Sequence, residues 1–290
     1  FNEREIKMRW KLTVICIFLL LSSCSYIKVD DSNEEQTIPN VKEDKTVDQV
    51  ITDLKIFDWS ERKILQAETI YYLALGDSLT RGIGDETNQY GFTSILAKEM
   101  QKSPNVLSVE LDNRGKNGRR SDQMLKLVKS GHYDEELKKA SFITITLGGN
   151  DVMKIVKKDL FNLKVSMFTK ELPLFVERYN EIIRLIREKT DVPIVLVGFY
   201  NPLSIITNQA TPFESIIKEW NGEIEKISKS EQNICFVPIE DLFSSNVDMV
   251  YHTDFFHPNA NGYNVMAERM METFPLCNIE QINTIFDYEG

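Results

Sequence analysis

Three residue types that together can perform nucleophilic catalysis stand at separated points of the chain. Ser78 follows Gly76-Asp77 directly after the apolar run 69–75, and Asp254 and His257 stand three residues apart near the other end. A serine hydroxyl is a weak nucleophile until a base removes its proton. His257 is the candidate base. Asp254 is close enough in sequence to hold the imidazole Nδ1–H and to stabilise the imidazolium. Gly76 permits a tight strand-to-helix turn before Ser78, and the helix N-terminus there favours developing negative charge. The same residues also admit plainer roles, Ser78 as an N-cap and His257 as a loop histidine. His252 is a rival base, but it has no acid three residues earlier and no following proline. His132, in the polar stretch GHYDEE, reads as a solvated side chain. Asp85 and Glu86 are neighbouring carboxylates of the kind used in glycoside hydrolysis, but nothing fixes their spacing. Arg119 and Arg120 read as a solvated face, with contact to an anionic substrate as the alternative.

The elements that must carry these groups follow from hydrophobic patterning. Runs at 69–75, 106–111, 141–147, 193–199 and 234–239 read as strands. Stretches at 90–100, 121–128, 172–190, 212–228 and 259–274 have helical spacing. All the strands but the second are nearly continuous apolar runs, as in parallel sheets covered on both faces. Strand–helix alternation predicts a doubly wound α/β fold, a three-layer α/β/α sandwich around a five-stranded parallel sheet of flavodoxin-like order. Reactive groups then belong at the C-terminal ends of the strands. The segments 151–170 and 200–211 are expected to shape a pocket, with Val156, Leu160, Phe161, Leu203, Ile205 and Ile206 leaning toward an acyl chain or simply packing the core.

Four segments fall at those strand ends: Gly76-Asp77-Ser78-Leu79-Thr80, Asn113 through Arg119, Gly148-Gly149-Asn150-Asp151, and Asp254 through Pro258. In this order they resemble the four blocks of the SGNH hydrolases, the GDSL lipase/esterase superfamily. Residues 69–274 carry the resemblance, and the chain looks most like the bacterial lipoprotein esterases of that group. The resemblance implies a serine esterase with Ser78 as nucleophile and His257 and Asp254 as its partners. It implies an oxyanion hole made of the Ser78 amide, the Gly118 amide and the side-chain NH₂ of Asn150. The second block is the loosest, and Gly115 is the alternative donor there. Asn150, not Asp151, is the functional member of its pair, because a carboxylate cannot donate to an oxyanion. Asp77 is expected to order the turn through backbone hydrogen bonds. The resemblance implies no metal and no organic cofactor. It spans lipids, thioesters, acetylated sugars and simple esters, so acyl preference, hydrolysis against transfer, and oligomeric state stay open. A non-catalytic binding protein on the same fold is the alternative from another class. A conventional α/β-hydrolase is excluded because no G-x-S-x-G occurs.

The rest of the chain bears on location. The apolar run 12–21 is ten residues long, about half what a bilayer-spanning helix needs. Lys7, Arg9 and Lys11 precede it, as in a secretory signal. Leu21-Ser22-Ser23-Cys24 resembles a bacterial lipobox, which implies lipidation at Cys24 and a two-chain anchor. Residues 1–23 are therefore read as the signal, with Met8 a candidate start. Residues 24–60 are read as the lipidated cysteine and an acidic tether, and 61–290 as the hydrolase domain, held outside the cytoplasm at the membrane. The substrates this favours are lipid or small-molecule esters, or O-acetyl groups of cell-wall polysaccharide. The formal charge of −10 excludes nucleic acid as the main partner, since phosphate binding calls for a basic face. The four cysteines are too few for a disulfide scaffold. Cys235, opening a strand, reads as a small apolar residue; pairing with Cys277 is the alternative that an oxidising compartment allows.

Overall fold

The computed structural model describes residues 67–158, 162–201, 212–243, 251–254 and 256–288. The signal, Cys24 and the tether lie outside the described residues, as do Leu160, Phe161, Leu203, Ile205 and Ile206. Five strands, β1 (Glu68–Gly76), β2 (Val106–Gly115), β3 (Phe142–Thr146), β4 (Ile194–Val197) and β5 (Ile234–Val237), form one sheet in the order β2-β1-β3-β4-β5. Every pairing is parallel. The flavodoxin-like order expected from the alternation is the order found.

Side-chain alternation along the strands builds two cores. Leu73, Leu75, Ile143, Ile145, Ile194 and Leu196 face one layer. That layer holds α3 (Ser121–Lys129), α4 (Asp134–Lys139), α5 (Gly149–Lys158), α6 (Val165–Arg187) and α7 (Pro212–Ser230). Tyr72, Ala74, Phe142, Val195 and Val197 face the other. It holds α1 (Ser78–Arg81), α2 (Phe92–Met100), α8 (Ala260–Thr273) and α9 (Glu280–Phe286). β2 is an edge strand with only its first residue buried, and Leu107 is 67% exposed. That explains why its run is the least apolar of the five.

Four helices differ from the sequence expectation, and one of them, α4, begins within the polar stretch GHYDEE, where no helix is expected. α6 begins at Val165 and takes Pro173 into its interior. The spacing alone places that proline near the N-terminus, where its missing N–H costs nothing. α5 forms the first part of the segment 151–170, to which the sequence reading assigns no helix, and Val156 packs in the core. Its apolar residues Val152, Ile155 and Val156 do recur at helical spacing. α9 was not expected, because Ile282, Ile285 and Phe286 make too short a stripe to register.

Cys235 and Cys277 form a disulfide, with Cα atoms 5.5 Å apart. This corrects the reading of Cys235 as a lone apolar residue: β5 and the 3₁₀ turn after α8 (Phe274–Cys277) run side by side. In the loop after α1, the buried Asp85 carboxylate organises the chain. One oxygen accepts from the Thr87 amide (2.9 Å) and hydroxyl (2.6 Å). The other accepts from the amides of Gln89 (3.1 Å) and Gly91 (2.9 Å). Burial alone would raise its pKa, but these four donors outweigh it and hold the carboxyl below its usual range.

Two outcomes follow for stability. Cys277→Ser should lower the unfolding free energy by about 2–4 kcal/mol, read from urea melts of the oxidised protein against the variant. Asp85→Asn puts an NH₂ against backbone N–H donors and should cost about 1–3 kcal/mol at pH 7. Because the folded pKa is depressed, this contribution is complete above the unfolded value of about 4 and is lost as pH falls through the folded one. The gap between wild type and Asp85→Asn should therefore narrow as melts are taken below about pH 4, and a gap independent of pH would contradict the assignment.

Candidate active site

The site begins where β1 ends. Gly76 has φ +150°, and a Cβ on it would lie 2.2 Å from the Thr146 hydroxyl on β3. The close approach lets Thr146 accept from the Asp77 amide (3.1 Å) and donate to Asp77 Oδ1 (2.8 Å). Asp77 Oδ1 also accepts from the Leu79 amide at 3.0 Å, so Asp77 caps α1, and Ser78 is its first residue. The helix is short, ending at Gly82 in the left-handed conformation. Asn113 on β2 holds its far end, donating to the Thr80 carbonyl at 2.6 Å. Ser78 is buried at the N-terminal end of this turn, where first-turn N–H groups have no helical acceptor.

The β3–α5 connection supplies Asn150. Gly148 there has φ +122°, and a Cβ would lie 2.5 Å from the Phe199 ring. The Asn150 side chain donates to Asp77 Oδ2 at 3.4 Å. The next residue, Asp151, turns the other way, accepting from the Ser121 amide (2.9 Å) and hydroxyl (2.6 Å), with Arg178 Nε donating to the same hydroxyl (2.8 Å). Asp151 thereby ties the β3–α5 connection to the start of α3.

The segment before α8 supplies the other half. Asp254 Oδ1 accepts from the amides of Phe256 (3.0 Å) and His257 (2.9 Å). Its Oδ2 lies 2.6 Å from His257 Nδ1. A carboxylate can only accept, so Nδ1 carries the proton and Nε2 is left with a lone pair. Burial opposes ionisation of Asp254, but the His257 and Phe256 contacts hold its carboxyl below the usual range. Tyr200 pins the turn by donating to the Phe256 carbonyl at 2.7 Å, and the His252 amide donates to the His257 carbonyl at 2.8 Å. His257 Nε2 is buried and has no hydrogen-bond partner among the described residues.

Asp77, Ser78, Asn150 and His257 line one pocket. Ser78 and His257 share it without a direct hydrogen bond; such contacts often tighten only when substrate is bound. The remaining wall is apolar and includes Val152, Met153, Phe199, Phe213, Ile217 and Phe256. Gly118 stands apart from this lining. It has φ +76° in an exposed turn, with open space where a Cβ would be. The Gly115 N–H is taken by Asn113 Oδ1 at 3.0 Å, which removes Gly115 as a free donor.

The other candidates lie elsewhere. His252 stays outside the pocket lining, its Nδ1 3.9 Å from Asp254. His132 is exposed. Asp85 is engaged with its own loop, and Glu86 accepts from the Ala260 amide at 2.8 Å. Arg119 corrects the solvated-face expectation: it is buried and donates to the Arg114 carbonyl (3.0 Å) and the Tyr133 hydroxyl (2.9 Å). Arg120 pairs with Asp122 at 3.0 Å. The structural parts that sequence reasoning missed are Thr146, Tyr200 and Arg178. Nothing local marks them, since each meets the site from a distant strand end or helix.

Comparison with known proteins shows the family. Residues 74–265 match the model of the GDSL-like lipase/acylhydrolase family. The chain is 28% identical to the uncharacterized protein YpmR of Bacillus subtilis over 92% of this chain and 96% of that one. It is 27% identical to the spore germination lipase LipC of Bacillus licheniformis, over 70% and 95% respectively. Among solved structures it resembles the lipase Lip_vut3 from a goat rumen metagenome, with TM-score 0.60 and 25% identity over 70% of this chain and 97% of that one. The family match spans all four strand-end segments, and the chain belongs to the GDSL-like lipase/acylhydrolase family of ester hydrolases.

Proposed function

We propose that the chain is a serine esterase that cleaves carboxylic esters of acyl chains through an acyl-enzyme. The observation that carries this is the shared pocket of Ser78, Asn150 and His257, with Asp254 2.6 Å behind the imidazole. Ser78 Oγ attacks the ester carbonyl while His257 Nε2 takes its proton. Asp254 holds the imidazolium that forms. The tetrahedral oxyanion receives N–H donors from Ser78 and Asn150, which share the pocket, and the family resemblance adds the Gly118 amide, which stands outside that lining. His257 then returns the proton to the leaving alkoxide, and water enters by the same route to release the acid.

The apolar wall supports an acyl chain over a sugar ring, because Phe199, Phe213 and Ile217 offer a carbohydrate no hydrogen-bonding partners. The two relatives described as lipases, 27% and 25% identical, point the same way. Transfer of the acyl group to an acceptor other than water uses the same residues, as does removal of O-acetyl groups from polysaccharide; both are outcomes of the test. We also propose that residues 1–23 are a signal and that lipid on Cys24 holds the domain at the membrane, on the strength of the basic flank, apolar run and Cys24.

With p-nitrophenyl esters, kcat/KM should rise from acetate to longer acyl chains, and Ser78→Ala should lower it by about 10⁴-fold or more. Ile217→Trp should shift the preference toward shorter chains by about 10-fold per step. Activity retained in Ser78→Ala would overturn the assignment. A profile favouring acetylated polysaccharide would replace the acyl-chain reading. Cys24→Ser should move the protein from the membrane fraction to the medium, and continued membrane retention would contradict the anchor.

A further inference from the structure

An asparagine in an oxyanion hole has a difficulty that a backbone amide lacks. Its side chain can rotate by half a turn and present oxygen where nitrogen is needed. Nitrogen inward stabilises the oxyanion; oxygen inward repels it. Something must select the orientation, and the only hydrogen bond that the Asn150 side chain makes among the described residues is to Asp77 Oδ2, at 3.4 Å. An ionised carboxylate is an acceptor only. Facing it, the nitrogen of Asn150 gains a hydrogen bond, whereas the oxygen would meet another oxygen. The amide has two N–H bonds, so one can serve Asp77 and the other the oxyanion.

Asp77 is itself prevented from turning. Its Oδ1 accepts from Leu79 N–H and the Thr146 hydroxyl, which leaves Oδ2 for Asn150. The residue is buried, with 4% of its surface exposed. We infer that Asp77 is a positioning residue: its carboxylate fixes the side-chain amide of Asn150 with nitrogen toward the oxyanion. This goes beyond its capping of α1 and rests on the oxyanion role proposed for Asn150. Burial pushes the carboxyl up to about 6, which leaves it ionised at neutral pH.

The test is a double-mutant cycle at pH 8 on a p-nitrophenyl ester, with Asn150→Ala, Asp77→Asn and the double variant. In Asp77→Asn the cap needs Oδ1, so the new NH₂ faces Asn150 and turns its oxygen inward. Asn150→Ala should lower kcat by about 10²–10³-fold with KM little changed. Asp77→Asn should lose at least as much, and the double variant should be no worse than Asp77→Asn by more than about 3-fold. Losses that multiply would overturn the inference, because damage to the helix cap alone is independent of Asn150. Asp77→Ser is the second variant: serine keeps a good N-cap but cannot reach Asn150, and it should lose kcat as Asn150→Ala does. Wild-type kcat in a folded Asp77→Ser would also overturn the inference. Should neither variant fold, side-chain amide NMR of the wild-type protein decides: Asn150 NH₂ should be rigid, with one slowly exchanging proton, and a mobile, fast-exchanging NH₂ overturns it. If Asn150→Ala retains full activity, the oxyanion assignment fails instead, and the two failures are distinct.

Discussion

Gly76 and Thr146 stand opposite each other on β1 and β3 with no room for a Cβ between them. That close approach sets where Ser78 stands. It brings the Thr146 hydroxyl within reach of the Asp77 carboxylate, which in turn caps α1. Adding a methyl group at Gly76 would push the two strands apart at their C-terminal ends, where the four functional segments converge. The two strands are neighbours because β1 is an interior strand, flanked by β2 and β3 in the parallel sheet. A local glycine and a global topology thus act on the same point.

Polar groups do the remaining positioning, some through partners in other segments and some within their own turn. Asp151 joins the β3–α5 connection to the start of α3, with Arg178 from α6 as its counter-charge at 3.6 Å. Burial pushes the Asp151 carboxyl up, against the pull of Ser121 and Arg178. Asp254 spends one oxygen on two amides of its own turn and the other on His257. His257 therefore has its orientation set before any substrate arrives, and it lines the pocket that Ser78 also lines, its Nε2 without a partner among the described residues.

The fold was legible because parallel strands buried on both faces leave a plain signature, nearly continuous apolar runs separated by helical stretches. The four functional segments were legible because each is compact and follows a strand. Side chains that reach the site from elsewhere were not. Thr146 reads as one more residue in the apolar run 141–147, and Tyr200 and Arg178 belong to segments with no motif. Arg119 misled for a related reason: an arginine pair in a polar loop reads as solvated, yet its partners, the Arg114 carbonyl and the Tyr133 hydroxyl, exist only in the folded chain. The disulfide has the same character, since Cys235 and Cys277 are 42 residues apart and only folding brings them together. α5 is different, because its apolar spacing is present in the segment 151–170, read in the sequence only as shaping a pocket.

The central claim is that Ser78 forms a covalent acyl-enzyme with His257 as its base. Intact-protein and peptide mass spectrometry after reaction with a fluorophosphonate tests it most directly. The account predicts a single stoichiometric adduct on the peptide carrying Ser78, formed by the wild type and greatly slowed in His257→Ala. Absence of an adduct from the folded wild-type protein, or an adduct on another residue at the same rate, would contradict it.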